Sequence, residues 1–100
     1  MVKVSVIIPV YNVAPYLGEC LDSVLAQSLR DIEIICVDDC STDDSLRLLR
    51  KYAEGDSRVR VLSNDKNRDV SETRNRGIKE SCGEYIFLWI LMILFMVIMY

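Results

Sequence analysis

An aromatic ring, a carboxylate pair and an arginine stand where they could work together on one ligand: Tyr11, Asp38–Asp39 and Arg74. Tyr11 offers a face on which a base can stack. Asp39 can accept a hydrogen bond from a ring N–H, a donor that uracil presents and adenine lacks at the equivalent edge. Arg74 can neutralise a phosphate with its two-pronged guanidinium. Each has a plainer structural alternative. Tyr11 could cover a helix, the two aspartates could be charges close to a helix start, and Arg74 could be a solvated residue on an amphipathic helix. The three together are harder to dismiss than any one alone.

Other chemistries are excluded by composition. The chain has no His, which removes Ser-His-Asp and Cys-His catalysis and His-based metal sites. Its 15 acidic and 12 basic residues leave a net charge of −3, without the basic excess that nucleic acid binding requires. Pro9-Val10-Tyr11-Asn12-Val13-Ala14 contains no Gly, so the glycine-rich turn of a dinucleotide site is missing, and no P-loop occurs anywhere. Cys20, Cys36, Cys40 and Cys82 lack the two-residue spacing of a redox or zinc knuckle; reduced, buried thiols are expected.

The candidate residues need elements to hold them. Val4–Ile8 is an apolar run of the kind found in a strand buried on both faces, ended by Pro9. Leu17, Leu21, Val24 and Leu25, with Tyr16 and Cys20, trace one face of a helix that has Pro15 in its first turn. Ile32–Val37 reads as a second strand, after which Ser41 or Thr42 is expected to cap a helix with Leu46, Leu49 and Tyr52 inward and Gly55 at its end. Val59–Leu62 alternates and so belongs nearer a sheet edge. Val70–Ser81 follows as a third helix, and Tyr85–Leu88 as a fourth strand. The order βαβαβαβ predicts an α/β fold with a mostly parallel sheet. Ligands of such sheets bind at the carboxyl ends of the strands, where Pro9, Tyr11, Asn12, Asp38 and Asp39 fall.

At this level the chain resembles glycosyltransferase family 2. The resemblance is carried by Val4-Ser5-Val6-Ile7-Ile8-Pro9-Val10-Tyr11-Asn12, Val37-Asp38-Asp39-Cys40-Ser41-Thr42-Asp43-Asp44-Ser45, Thr73-Arg74-Asn75-Arg76-Gly77-Ile78 and Gly83-Glu84-Tyr85-Ile86, in order over about residues 3 to 88. It implies a partial Rossmann-like A-type glycosyltransferase domain, a hexosyltransferase type taking a nucleotide sugar, usually a UDP-sugar, and inverting the anomeric centre. It places Pro9, Tyr11 and Asn12 at the base pocket, Asp39 on the uracil, Asp38 in support of the same loop, and Arg74 near the diphosphate. It also implies Mn²⁺ or Mg²⁺, and an acceptor saccharide or lipid-linked glycan that the residues do not identify.

Three departures stand out. The family usually has Gly where Cys40 stands, so the turn there must avoid positive φ or tolerate strain. It tends to have Gly where Asp69 stands, and a carboxylate close to a diphosphate is unfavourable. After the fourth strand the family places the Asp-x-Asp or Asp-Ser-Asp-Asp that holds the metal, whereas this chain has Trp89-Ile90-Leu91-Met92-Ile93, and no carboxylate follows Glu84. The catalytic base expected later in such enzymes is likewise absent, so no catalytic residue is assigned.

The third departure coincides with a seam in hydropathy. All 16 residues from Tyr85 to Tyr100 are apolar or aromatic, against 35 of the first 84. The genetic code suggests a reason. Trp has the single codon TGG, Met has ATG, and every Ile codon begins AT. In a frame starting on the last base of codon 88, the five codons are compatible with Leu-Asp-Ser-Asp-Asp, and two of the three Asp are forced. Residues 1–88 are therefore expected to be an incomplete nucleotide-sugar-binding part, and 89–100 an apolar tail from a frameshift or truncation. The competing expectation is a membrane-tethered, non-catalytic module anchored through 85–100. As a helix, however, 16 residues reach only about 24 Å of a roughly 30 Å hydrocarbon core. No secretory signal is apparent, so the setting expected is cytoplasmic, with the tail available for the inner face of a membrane.

Overall fold

The computed structural model describes residues 4–26, 31–89 and 95–99, with side chains as far as Ile86. Eight elements follow one another: β1 Val4–Val10, α1 Ala14–Leu25, β2 Ile32–Asp38, α2 Ser45–Gly55, β3 Val59–Ser63, α3 Val70–Glu80, β4 Tyr85–Trp89 and β5 Phe95–Met99. The strands form one sheet in the order β3-β2-β1-β4-β5. The first four are parallel, as the alternating pattern predicts, and β5 runs antiparallel to β4.

The pleat sends successive side chains to opposite faces, and the core divides accordingly. Val4, Val6, Ile8 and Val10 of β1 join Ile32, Ile34 and Cys36 of β2 beneath Leu17, Leu21 and Val24 of α1 and Leu49 of α2. Ile7, Ile35, Val37 and Ile86 face the other way, against Leu62 and Ile78 of α3. Two helices thus cover one face and one covers the other. Chain connections reverse direction between β1 and β4, which makes that boundary the switch point of the sheet.

Several local expectations are corrected. Tyr16 is 61% exposed, because the buried stripe of α1 runs through Leu17, Cys20, Leu21 and Val24 instead. Neither Ser41 nor Thr42 caps α2; its N-cap position is Asp44, and the Ser45 N–H donates to Asp43 Oδ1 at 2.9 Å. Leu46 stays half-exposed outside the core, where Leu48, Tyr52 and Ala53 pack instead. Gly55 does end α2, as its last helical residue. The third helix ends at Glu80, with the Ser81 hydroxyl donating back to the Ile78 carbonyl at 2.6 Å. Cys20 and Cys36 are buried free thiols, but Cys40 and Cys82 are exposed in loops. Burial pushes the Cys20 thiol up to about 11 and the Cys36 thiol higher still.

The apolar tail is not a helix where it is described. Phe95–Met99 pairs with β4 in register from Trp89↔Phe95 to Tyr85↔Met99. A strand edge presents unpaired N–H and C=O groups, and an apolar, β-branched segment satisfies them by extending the sheet. Residues 90–94 and 100 of the expected tail lie outside the described residues. Among those described, no helix is long and apolar enough to cross a membrane.

A buried acid locks the amino-terminal end of the sheet. Glu33 of β2 is only 6% exposed. Its Oε2 accepts from the Ser5 hydroxyl and the Cys82 N–H, both at 2.6 Å, and Oε1 accepts from Arg60 Nη1 at 3.1 Å. Desolvation works to raise its pKa, but the bonds from Ser5, Cys82 and Arg60 outweigh it and hold the carboxyl below its usual range. The segment after α3 must approach closely to reach this acid. At Gly83 an added Cβ would lie 2.7 Å from Ser5 N and 2.9 Å from the Val4 carbonyl carbon. Backbone atoms there cannot move aside, so Gly83→Ala is expected to cost about 2 kcal/mol or more. Gly55→Ala, with open space around it, should instead stabilise by about 0.5 kcal/mol. Urea denaturation of the two variants beside the parent chain checks both signs.

Candidate functional site at the carboxyl ends of the strands

Parallel strands deliver their carboxyl ends to one edge, and the loops after β1, β2 and β3 meet there. Asp38 ends β2 and is buried; its Oδ1 accepts from the Ser41 hydroxyl at 2.6 Å and its Oδ2 from the Ser41 N–H at 3.0 Å. Ser41 Oγ in turn accepts from the Asn12 N–H at 3.0 Å. Asn12 Oδ1 accepts from the Thr42 N–H at 2.8 Å, the Thr42 hydroxyl at 3.3 Å and the Asp43 N–H at 3.3 Å. These bonds explain why Ser41 and Thr42 do not cap α2: their side chains hold the loops after β1 and β2 together. Asp38 and Asn12 therefore serve as internal ties in this arrangement.

Asp39 points to the third loop. It is 5% exposed, and its backbone N–H donates to the Val10 carbonyl at 2.8 Å, which sets it beside Tyr11. Oδ1 accepts from Asn64 Nδ2 at 2.9 Å and from the Arg68 N–H at 2.8 Å, while Oδ2 accepts from the Asp69 N–H at 3.3 Å. Burial raises its pKa, yet the donors from Asn64, Arg68, Asp69 and Thr73 prevail and the carboxyl is held below its ordinary range. Oδ1 carries two short bonds and Oδ2 one longer one, and the Thr73 side chain adds a further hydrogen bond to the carboxylate.

The remaining candidates lie on β1, on the loop after it and on α3. Tyr11 is 47% exposed, with its ring available at the end of β1, and Pro9 is half-buried one strand position earlier. Arg74 is half-buried in the second turn of α3, directly after Thr73, and has no hydrogen-bond or ion-pair partner among the described residues. Asn64 and Arg76 were not predicted from sequence. Asn64 Nδ2 also donates to Thr73 Oγ1 at 3.1 Å, and Arg76 Nη1 donates to Asn64 Oδ1 at 2.8 Å and to the Ser63 carbonyl at 2.6 Å. Their partners lie in other elements, so nothing local marks their role, although Arg76 falls within the Thr73–Ile78 motif.

An open cleft of about 490 Å³ adjoins the site, lined by Ser63, Asn64, Asp65, Arg68, Glu72 and Arg76. It shares no wall with Tyr11, Asp39 or Arg74. Its cations are already engaged, Arg68 with Asp65 at 3.1 Å and Glu72 at 3.7 Å, and Arg76 with the end of β3. The site is therefore placed by the strand ends and not by this cleft.

A four-strand parallel sheet with two helices on one face and one on the other, and an aspartate pair after β2, defines the amino-terminal half of an A-type glycosyltransferase fold. Residues 5–89 match the family described as Glycosyl transferase family 2, and the chain belongs to that family. Among relatives, it is 48% identical over 83 residues to the uncharacterized glycosyltransferase EpsJ of Bacillus subtilis, covering 83% of this chain and 24% of EpsJ. It is 45% identical over 87 residues to the poly(ribitol-phosphate) beta-glucosyltransferase of Bacillus spizizenii, covering 84% of this chain and 14% of that protein. Residues 1–349 of S. aureus TarS, in complex with UDP-GlcNAc, superpose with a TM-score of 0.83 at 33% identity, over 89% of this chain and 26% of that one. The mannosyltransferase PcManGT of Pyrobaculum calidifontis, in complex with GDP-Man and Mn²⁺, gives 0.83 at 27% identity, over 89% and 27%. The chain thus spans about a quarter of the length of most of these proteins.

PcManGT is in complex with a divalent metal, Mn²⁺. Among the described residues no three His, Cys, Asp or Glu side chains cluster to hold a metal, and Trp89 ends β4 with no carboxylate after it in the sequence. Hard divalent cations need oxygen donors that this segment does not supply.

Three non-glycine residues in these loops have positive φ: Asn12 at 50°, Cys40 at 60° and Asp69 at 119°. At Cys40 the turn tolerates strain instead of avoiding it. Asp69, with ψ at 169°, occupies a region nearly reserved for Gly and offsets part of the strain by capping α3, its Oδ1 accepting from the Glu72 N–H at 3.0 Å. Cys40→Gly should therefore raise stability by about 1 kcal/mol. Asp69→Gly should do the same, while Asp69→Ala, which keeps the strain and loses the cap, should lower it by about 1 kcal/mol. Thermal and urea unfolding of the three variants reads the signs directly.

Proposed function

We propose that residues 1–88 are the donor-binding part of a glycosyltransferase that takes a UDP-sugar, with the nucleotide held at the carboxyl ends of β1 and β2. The observation that carries this is the juxtaposition of the Asp39 carboxylate, tied by its backbone to the end of β1, with the exposed Tyr11 that follows β1. A stacked uracil would present its ring N–H to that carboxylate. Pro9 and Tyr11 form the base-facing wall, while Asp38 and Asn12 keep that wall in place through the Ser41 and Thr42 bonds. Arg74, cationic and without a partner among the described residues, is the group assigned to the diphosphate. TarS in complex with UDP-GlcNAc supports a uridine donor. In the family's reaction the acceptor hydroxyl forms the new glycosidic C–O bond on the face opposite the departing nucleotide diphosphate, which inverts the anomeric centre. A bound metal would stabilise that leaving group, and residues 85–100 contain no carboxylate to hold one.

From about Trp89 we infer that the chain is read out of its ancestral frame, which would replace the metal-binding aspartates with Trp89-Ile90-Leu91-Met92-Ile93. On this reading donor binding outlasts catalysis. The nucleotide sequence across codon 88 tests it: the shifted frame should continue into further family-like sequence, and a stop or unrelated codons there would remove the inference.

Calorimetry on the full chain tests the donor site. Uridine diphosphate should bind weakly, with an affinity unchanged by Mn²⁺, and Asp39→Ala should abolish the signal. Arg74→Ala should weaken the diphosphate while leaving uridine unaffected. Binding strengthened by Mn²⁺ would contradict the loss of the metal ligands. A flat titration would leave a non-catalytic remnant, and partition into vesicles under the same conditions would favour the membrane-tethered reading through 85–100.

A further inference from the structure

We infer that Asn64 and Arg76 are positioning residues for Asp39, a relay that holds its carboxylate in place through Oδ1 from the protein side. The inference rests on the donor-site reading of Asp39 above. Its basis is the direction of each bond. A guanidinium only donates, so the Asn64 oxygen must face Arg76 Nη1, 2.8 Å away. That choice turns Nδ2 toward Asp39 Oδ1 at 2.9 Å and Thr73 Oγ1 at 3.1 Å. The Asn64 N–H is held as well, by the Asp38 carbonyl at 2.8 Å, and the whole residue is 7% exposed. Every polar group of Asn64 that could rotate away is engaged.

The relay also separates the two arginines of Arg74-Asn75-Arg76. Two helical steps place them about 200° apart around α3. Arg76 reaches the end of β3 and acts on Asp39 only through a neutral amide. The carboxylate therefore keeps its full charge for a ligand N–H, which a direct ion pair would partly neutralise. Arg74 stays available to phosphate.

Other charged groups surround Asp39. The loop after β2 brings Asp38, the loop after β3 brings Asp65, Lys66, Arg68 and Asp69, and α3 brings Glu72, Arg74 and Arg76. Substituting Arg76 removes a charge as well as a bond, so Arg76→Lys serves as a control that keeps the charge and can keep the bond to Asn64 Oδ1.

The test is the titration of the Asp39 carboxyl by NMR, in the full chain and in Asn64→Ala, Arg76→Ala and Arg76→Lys, alongside calorimetry with uridine diphosphate. The Asp39 midpoint should rise in Asn64→Ala, rise less in Arg76→Ala, and return toward the parent value in Arg76→Lys. Affinity for uridine diphosphate should fall about tenfold in Asn64→Ala, the loss expected for one buried hydrogen bond. A midpoint unmoved in folded Asn64→Ala or Arg76→Ala overturns the relay. A moved midpoint with unchanged affinity overturns its role in binding. Should Asn64→Ala fail to fold, exposed Arg76 still carries the test through its Ala and Lys variants. Should the parent chain not bind uridine diphosphate, the donor reading fails, and the relay is still judged by the Asp39 midpoint alone.

Discussion

A carboxylate withdrawn from water is tolerated only if hydrogen bonds replace the solvent it gives up, and the architecture of this chain turns on meeting that demand at Asp39. Its donors come from the loop after β3 and from the start of α3, while its own backbone is tied to the end of β1. One side chain thereby joins three loops that are distant in sequence. Asp38 and Asn12 repeat the device between the first two loops. Among the described residues no buried side-chain nitrogen or oxygen lacks a partner, so the edge of the sheet is polar without being loose.

Glu33 meets the same demand at the opposite end of the sheet. Both acids have folded-state pKa values below their ordinary ones, which fixes the sign of their linkage to stability. Their contribution is present above the unfolded-state value near 4 and is lost as pH falls through the folded-state value. Acid should therefore loosen both ends of the sheet together. The middle of the sheet, where Ile7, Ile34 and Ile35 are buried, has no carboxyl group to titrate in acid. Glu33 ties β2 to Ser5, Arg60 and the segment after α3, while Asp39 ties it to the loop after β3.

What could be read in advance follows from how local the signal is. The strands β1 and β2 announce themselves as apolar runs, and the alternation in β3 correctly places it at an edge. Tyr11, Asp38, Asp39 and Arg74 could be picked out because they follow strands or sit in recognisable motifs. Asn64 and Arg76 could not, since their meaning depends on partners brought in by the fold. The cap of α2 was misplaced for the same reason: Ser41 and Thr42 have the right chemistry for capping, but Asp38 and Asn12 compete for it. In the tail, an uninterrupted apolar run has neither a helical nor a strand period, so the pairing of β5 with β4 had no sequence signature.

The departures from the family differ in kind, and the difference bears on what the proposed site retains. Backbone strain at Cys40 and Asp69 draws on global stability, of the order of 1–2 kcal/mol at each position, and leaves the geometry of the aspartates intact. The lack of any carboxylate from Tyr85 to Tyr100 is not a matter of degree in that sense. A nucleoside diphosphate leaves with two phosphates' worth of negative charge, and the sole unpartnered arginine near the site among the described residues offers one positive charge against it. Binding needs only that ground-state charge be tolerated, whereas transfer needs the additional charge of the transition state to be stabilised. Under the donor-site proposal, Asp39, Tyr11 and Arg74 answer only the first of these two demands.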